Sequence, residues 1–246
     1  VKHLYKKLQR EGQLERDVDR LVRNDRIAWG SSMIACKDAD AMVTGNIRHY
    51  AASIEKLKKV TEPRPGEEIF GMTMITLKGK TILVADTNVQ DFPSAERLVN
   101  VSISCVRVAK LFGFDPKVAF LSHSTFGKPV SKNTKHVRDA IELLKNKNVD
   151  FDFDGEMQPD VALDEKYRDL YPFSEIVGNA NVLIMPGRHS AAISFKMLKS
   201  LSAVKVVGPL LIGLGEPIEI APLRSSTSDI LNLASVAAYS ADIIDY

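Results

Sequence analysis

Short apolar runs of strand length alternate with amphipathic stretches of helix length through most of this chain. That alternation calls for an α/β fold, a sheet with helices on its faces. Residues 69–76 and 81–86 flank Leu77-Lys78-Gly79-Lys80 as the arms of a hairpin. Pro93 opens a helix that runs through Phe112, with Gly113 placed to end it. Residues 117–122 read as a short buried strand, 133–147 as a helix with a polar face, and 182–185 as another strand. Helices follow from about Ser190 to Leu201 and from near Ser226 to the C-terminus. Residues 2–36 also read as helical, because opposite charges sit at helical spacing over 16–23 and no Gly or Pro interrupts Gln13 to Trp29. A second helix follows Gly45 through Leu57, and Pro63-Arg64-Pro65-Gly66 breaks it.

The 246 residues are 45% hydrophobic with a formal net charge of +2, which excludes intrinsic disorder. Cys36 and Cys105 are too few and too isolated for a disulfide framework or a thiolate metal site. They read as small buried hydrophobes in a reducing compartment, and the chain as cytoplasmic. No apolar run approaches the roughly 20 residues that span a bilayer, and residues 1–12 lack a signal-peptide core. Basic and acidic residues are interleaved, so nothing resembles a nucleic-acid patch. The chain begins at Val1 and is expected to be a piece of a longer protein.

Three loops lie at expected strand ends, where open α/β folds place ligands. In the first, Ser122-His123-Ser124-Thr125-Phe126-Gly127-Lys128, hydroxyls, an imidazole and an ammonium suit an anion or serve as ordinary loop polarity. In the second, Pro186-Gly187-Arg188-His189-Ser190, a helix start favours negative charge. The third runs from Pro217 to Asp229, where Ser226-x-x-Asp229 has the spacing of a capping box. The same carboxylate at a loop-to-helix junction is also a candidate general base. Five histidines lack ligand spacing, so no metal site is expected. The alternating Asp and Phe of 150–156 read as an edge strand ending in a turn.

Five strings in order along the chain resemble the phosphotransacetylase (phosphate acetyl/butyryl transferase) family. They are Asp38-Ala39-Asp40-Ala41-Met42-Val43-Thr44-Gly45, Val118-Ala119-Phe120-Leu121-Ser122-His123-Ser124-Thr125, and Asp154-Gly155-Glu156-Met157-Gln158-Pro159-Asp160. Asn181-Val182-Leu183-Ile184-Met185-Pro186 and Val207-Gly208-Pro209-Leu210-Leu211-Ile212-Gly213-Leu214 complete the set. The narrower resemblance is to the C-terminal phosphotransacetylase-like domain of bacterial NADP-dependent malic enzymes. It is carried by Leu8-Gln9-Arg10-Glu11-Gly12, Met185-Pro186-Gly187-Arg188-His189-Ser190-Ala191 and Ser228-Asp229. Relative to the family, the chain lacks the first α/β stretch.

The resemblance implies two α/β lobes with mostly parallel sheets, similar to phosphotransacetylase and isocitrate dehydrogenase, and an interdomain cleft that binds coenzyme A. Lobe I takes residues 1–66 and 215–246, and lobe II residues 67–214. Ser124, Thr125, Arg188, His189, Gly208, Pro209, Gly213, Arg224, Ser225 and Ser226 are the implied CoA or acetyl-CoA contacts. Active members transfer acetyl between acetyl phosphate and CoA, and their thiol base matches Asp229. Their Ser-Arg pair falls here on Pro222-Leu223, and their Thr-x-Arg-Pro string on Ser53-Ile54-Glu55-Lys56. A carboxylate thus replaces the phosphate-holding arginine, and Arg224 lies one residue from the expected place.

Losing one preorganised donor costs roughly 10²–10³ in rate, so efficient acetyl transfer is not expected. The leading expectation is a regulatory module, with Asp229 vestigial as a base. It binds acetyl-CoA and reports to a malic-enzyme domain of the same chain, which uses NADP and a divalent metal to turn malate into pyruvate and CO2. No cofactor is expected in this segment, no nucleic acid or membrane partner, and a homodimer or higher homo-oligomer. The alternative is a working phosphate acetyltransferase in which Arg224 and Arg10 supply the missing cations, and a third reading is an oligomerisation scaffold.

Overall fold

A computed structural model describes residues 1–86, 91–129 and 131–244, with side chains as far as residue 242. The chain divides into two compact units, Val1–Ile69 with Gly208–Tyr246, and Phe70–Val207. The first unit opens with helices α1 (Lys2–Leu8), α2 (Glu15–Asn24) and α3 (Arg26–Ala35), strand β1 (Met42–Gly45) and helix α4 (Tyr50–Val60). The second holds β2 (Phe70–Leu77), β3 (Lys80–Ala85), α5 (Ala95–Leu111), β4 (Lys117–Leu121), α6 (Lys135–Lys145) and β5 (Asp152–Met157). It continues through α7 (Pro159–Leu163), α8 (Glu165–Arg168), β6 (Val182–Ile184) and α9 (Arg188–Leu201) into β7 (Lys205–Ile212). Strand β7 returns the chain to the first unit, which ends with β8 (Ile218–Ala221) and α10 (Thr227–Ile244).

The sheet of the second unit runs β5-β4-β6-β3-β2-β7. Strands β5, β4, β6 and β3 are mutually parallel, whereas β2 and β3 form the antiparallel hairpin expected around Lys78-Gly79. Positive φ at both turn residues, 51° and 79°, matches the right-handed twist of the arms. Side-chain alternation gives each strand two faces. Ala119, Leu121, Leu183, Met185 and Met157 meet Val161, Ile176, Ala191 and Phe195 on one of them. Val118, Phe120 and Ile184 alternate onto the other, and α5 and α6 pack on the sheet. Strand β5 lies at the edge, as its alternation of Asp and Phe leads one to expect.

In the first unit, α1 to α4 bury Leu4, Leu8, Val18, Val22, Ala28 and Val60 together. The single helical stretch expected over 2–36 is broken twice. Gly12 takes φ 81° after the turn at 9–11, and Asp25 starts a new helix by accepting the N–H groups of Ile27 (2.9 Å) and Ala28 (3.3 Å). That side-chain cap, rather than Gly or Pro, separates α2 from α3. Helix α5 likewise starts later than expected, after Pro93, because the Ser94 hydroxyl accepts the Arg97 N–H at 3.2 Å.

Cys36, expected in the interior, is exposed at the end of α3. Cys105 is buried, and burial pushes its thiol up to about 12, which suits a small hydrophobe. Among the described residues no helix is long and apolar enough to cross a membrane, and no cluster of three or more His, Cys, Asp or Glu suits a metal ion. The last helix reaches Ile244, and the final two residues of its expected span lie outside the described ones.

Candidate functional site

The segment from Pro217 to Asp229, expected as a loop, begins as a strand. β8 pairs with β1 in parallel register, Met42 opposite Ile218 and Gly45 opposite Ala221, and all four of its residues are buried. A Cβ on Gly45 would lie 2.3 Å from the Ala221 carbonyl oxygen, so this approach admits only glycine. Glu219 sits in the middle of β8 and accepts the Leu211 N–H at 2.9 Å. Burial pushes its carboxyl up to about 8, against the pull of that single hydrogen bond.

Beyond β8 the chain turns into α10. The Arg224 N–H donates to the Asn46 carbonyl at 3.3 Å, and Arg224 itself takes φ 59°. Its side chain is exposed and makes no ion pair among the described residues. The Ser225 hydroxyl donates to the Pro222 carbonyl at 2.8 Å. Ser226 and Asp229 then close a reciprocal capping box. The Asp229 carboxylate accepts the Ser226 N–H (2.9 Å) and hydroxyl (2.8 Å), and the Ser226 oxygen accepts the Asp229 N–H (3.1 Å). The structure therefore gathers Arg224, Ser225, Ser226 and Asp229 into one turn, with the candidate base engaged as a cap. Asp229→Ala is expected to lower stability to denaturant by about 1 kcal/mol, the usual worth of a lost cap.

In the second unit the hydroxyls of the first loop turn inward. Ser124 is fully buried and donates to Glu156 Oε1 at 2.6 Å, its Oγ lies 3.1 Å from that of Ser122, and the Thr125 hydroxyl accepts the Gln158 N–H at 3.2 Å. The Gly127 N–H (3.2 Å) and Arg138 Nη1 (3.0 Å) also donate to Glu156 Oε1, and the same Nη1 reaches Oε2 at 3.2 Å. The Arg138–Glu156 pair shapes this loop, and the sequence did not single it out: its members sit on α6 and β5 with no motif joining them. Arg188, at the start of α9, forms a two-pronged ion pair with Asp91, 2.7 and 2.9 Å, while His189 is exposed. Gly208 and Pro209 lie within β7, and Gly213 just past its end has φ 88°, where a Cβ would stand 2.1 Å from the Glu68 carbonyl oxygen.

A groove of about 780 Å³ opens in the first unit along β1 and at the C-terminal ends of β1 and β8. Such a size and position suit a small-molecule site. Arg26, Trp29 and Met33 of α3 line it, with Asn46 and Arg48 from the loop after β1 and Ile230 of α10. Arg48 Nη1 lies 3.3 Å from Asp25 Oδ2, and Lys56 donates to the same oxygen. Burial pushes the Asp25 carboxyl up, but the hydrogen bonds from Lys56, Ile27, Ala28 and Arg48 together outweigh it and hold it below the usual range. Neither Arg26 nor Arg48 was among the residues read from the sequence. The available signal was a short β-branched run ending in Gly45-Asn46, the end of a strand.

The profile of the family described as phosphate acetyl/butaryl transferase matches residues 1–238. An NADP-dependent malic enzyme of Rhizobium meliloti (strain 1021) is 45% identical over 238 residues, which are 97% of this chain and 31% of that protein. One of Escherichia coli (strain K12) is 32% identical over 237 residues, 95% of this chain and again 31% of the relative. The chain thus spans about a third of the length of these relatives. Among solved structures, a phosphotransacetylase from Streptococcus pyogenes superposes with a TM-score of 0.87 at 30% identity, covering 95% of this chain and 72% of that one.

Proposed function

This chain belongs to the phosphate acetyl/butaryl transferase family, and from that premise we propose that it is the regulatory, acetyl-CoA-binding part of an NADP-dependent malic enzyme without efficient acetyl transfer of its own. In this reading acetyl-CoA favours one state of the domain, since a ligand that binds two states equally shifts neither. The signal passes to a malic-enzyme domain of the same chain, where NADP and a divalent metal act. The protein works in the cytoplasm as a homodimer or higher homo-oligomer.

The supporting observation is the chemistry of the turn before α10. Where active members carry Ser-Arg, Pro222 offers a carbonyl already taken by Ser225, and the Leu223 side chain offers no donor. The Asp229 carboxylate is held by Ser226, and exposed Glu55 stands on α4 where an arginine would hold phosphate. Each lost stabiliser of developing charge removes roughly 10²–10³ in rate, and a carboxylate at the phosphate position adds repulsion.

Calorimetry with acetyl-CoA should give saturable heat, and its absence at millimolar ligand would overturn the reading. Turnover of acetyl phosphate and CoA is expected to fall below about 1 s⁻¹, the low end of ordinary enzyme rates. Faster turnover would establish the chain as a phosphate acetyltransferase, a reading favoured by the Arg224 guanidinium, which makes no ion pair among the described residues.

A further inference from the structure

Helix α5 packs on the sheet and on α6, and it buries Val101, Cys105, Val108 and Ala109. Its outer face is not polar in return. Ile103 and Leu111 stand there four residues to either side of Arg107, and the two apolar side chains are 36% and 43% exposed. They form one wall of a groove of about 580 Å³ in the second unit, and the loop joining α6 to β5 forms the other. Val106, Val149 and Phe151 complete its apolar lining. Exposed apolar residues scattered singly are ordinary, but five that converge on one groove of ligand size are not. The rim carries Arg107, Lys110 and Lys147 against a single carboxylate, Asp150. Lys110 donates to Asp150 at 2.7 Å, so positive charge remains in excess around the groove. The Lys147 ammonium makes no ion pair among the described residues.

We infer that this groove binds a free fatty carboxylate, its hydrocarbon chain between α5 and the loop and its head group at the basic rim. A hydrated anion such as phosphate would gain nothing from the apolar walls, and an uncharged hydrocarbon nothing from the rim. A carboxylate gains from both, through charge-assisted hydrogen bonds at one end and burial of methylenes at the other. The Lys110–Asp150 pair already shows a carboxylate seated against this rim. The long stems of Lys110 and Lys147 extend the apolar cover while their ammonium groups stay in water. A free carboxylate is not a thioester, so the site stands independently of the acetyl-CoA reading.

The test is calorimetry of the full chain with hexanoate, octanoate and decanoate, each kept below its micelle concentration. Saturable heat is expected, with none from acetate, and each added methylene should tighten binding about fourfold while the groove takes up the chain. The uncharged octan-1-ol should bind about tenfold more weakly than octanoate, as for the loss of a hydrogen bond to a charged group. Lys147→Glu changes an exposed side chain, so the fold is retained while octanoate affinity falls by about tenfold and octan-1-ol binding stays as it was. Ile103→Asp should abolish binding of both. No saturable heat from decanoate would overturn the site, and equal affinity across the chain lengths would overturn burial of the hydrocarbon. Octan-1-ol binding as tightly as octanoate would overturn the anionic head group. Octanoate binding unchanged in Lys147→Glu and Ile103→Asp would place the ligand elsewhere. Self-association of the ligand-free chain that Ile103→Asp abolishes would give the groove to a second copy and overturn the proposal.

Discussion

Glu219→Gln should raise the stability of the chain by about 4 kcal/mol at pH 8 and leave it unchanged near pH 4, the difference set by the free energy of the carboxyl's displaced titration. The folded chain holds the Glu219 proton until about pH 8, because burial in β8 outweighs the one N–H from Leu211, whereas the carboxyl ordinarily releases it near 4.5. Between those values the unfolded state binds fewer protons than the folded one. Stability is therefore fully present below pH 4.5, falls as pH rises through the window, and levels off above 8. The amide keeps an acceptor for Leu211 and has no proton to lose. Denaturant midpoints at several pH values read the result directly. Identical pH slopes in the two proteins would show that Glu219 ionises freely in the fold.

The second large effect concerns the Arg138–Glu156 pair. The Glu156 side chain has no exposed surface and that of Arg138 is 34% exposed, so removing the arginine leaves a carboxylate enclosed with Ser124 and Gly127 as its donors among the described residues. Breaking a buried pair from one side costs about 3–5 kcal/mol, because an uncompensated charge remains. Arg138→Ala should approach the lower end of that range, since part of the pair meets solvent. The double variant Arg138→Met with Glu156→Gln should recover most of the loss, because neutral partners carry no such cost. Chemical unfolding of the single and double variants separates the two contributions. If Arg138→Ala stays within about 0.5 kcal/mol of the parent, as ordinary surface substitutions do, the loop is held by its other hydrogen bonds alone.

What sequence reading found and missed follows from how locally each element is determined. The β2–β3 hairpin was legible because Lys78-Gly79 sits between two β-rich arms, and the start of α10 because Ser226 and Asp229 answer each other across one turn. Strands β1, β7 and β8 were not. β1 and β8 have four residues each, and β8 carries a glutamate where a buried strand ordinarily has none. Pro217 and Pro222 bracket it as loop punctuation does. Its strand character is set by pairing with β1, more than 170 positions away, not by any local pattern. The same holds for the groove: Arg26 and Arg48 belong to a helix start and a short loop, and their convergence exists only once β1 and α3 are side by side. The resemblance to phosphotransacetylases named the turn before α10, but it could not say that Ser124 points at Glu156 or that Arg188 is paired with Asp91.

Strand β5 ends the six-stranded sheet, the side on which a further strand would have to add, and the Phe126 N–H already donates to the Glu156 carbonyl at 2.7 Å. Asp152, exposed at the start of that strand, gives this border a fixed negative charge. Two identical borders meeting side by side in parallel register would bring like carboxylates together. The charge disfavours ladder growth between molecules at neutral pH, and it comes from the same alternating acidic pattern that marked the segment as a strand.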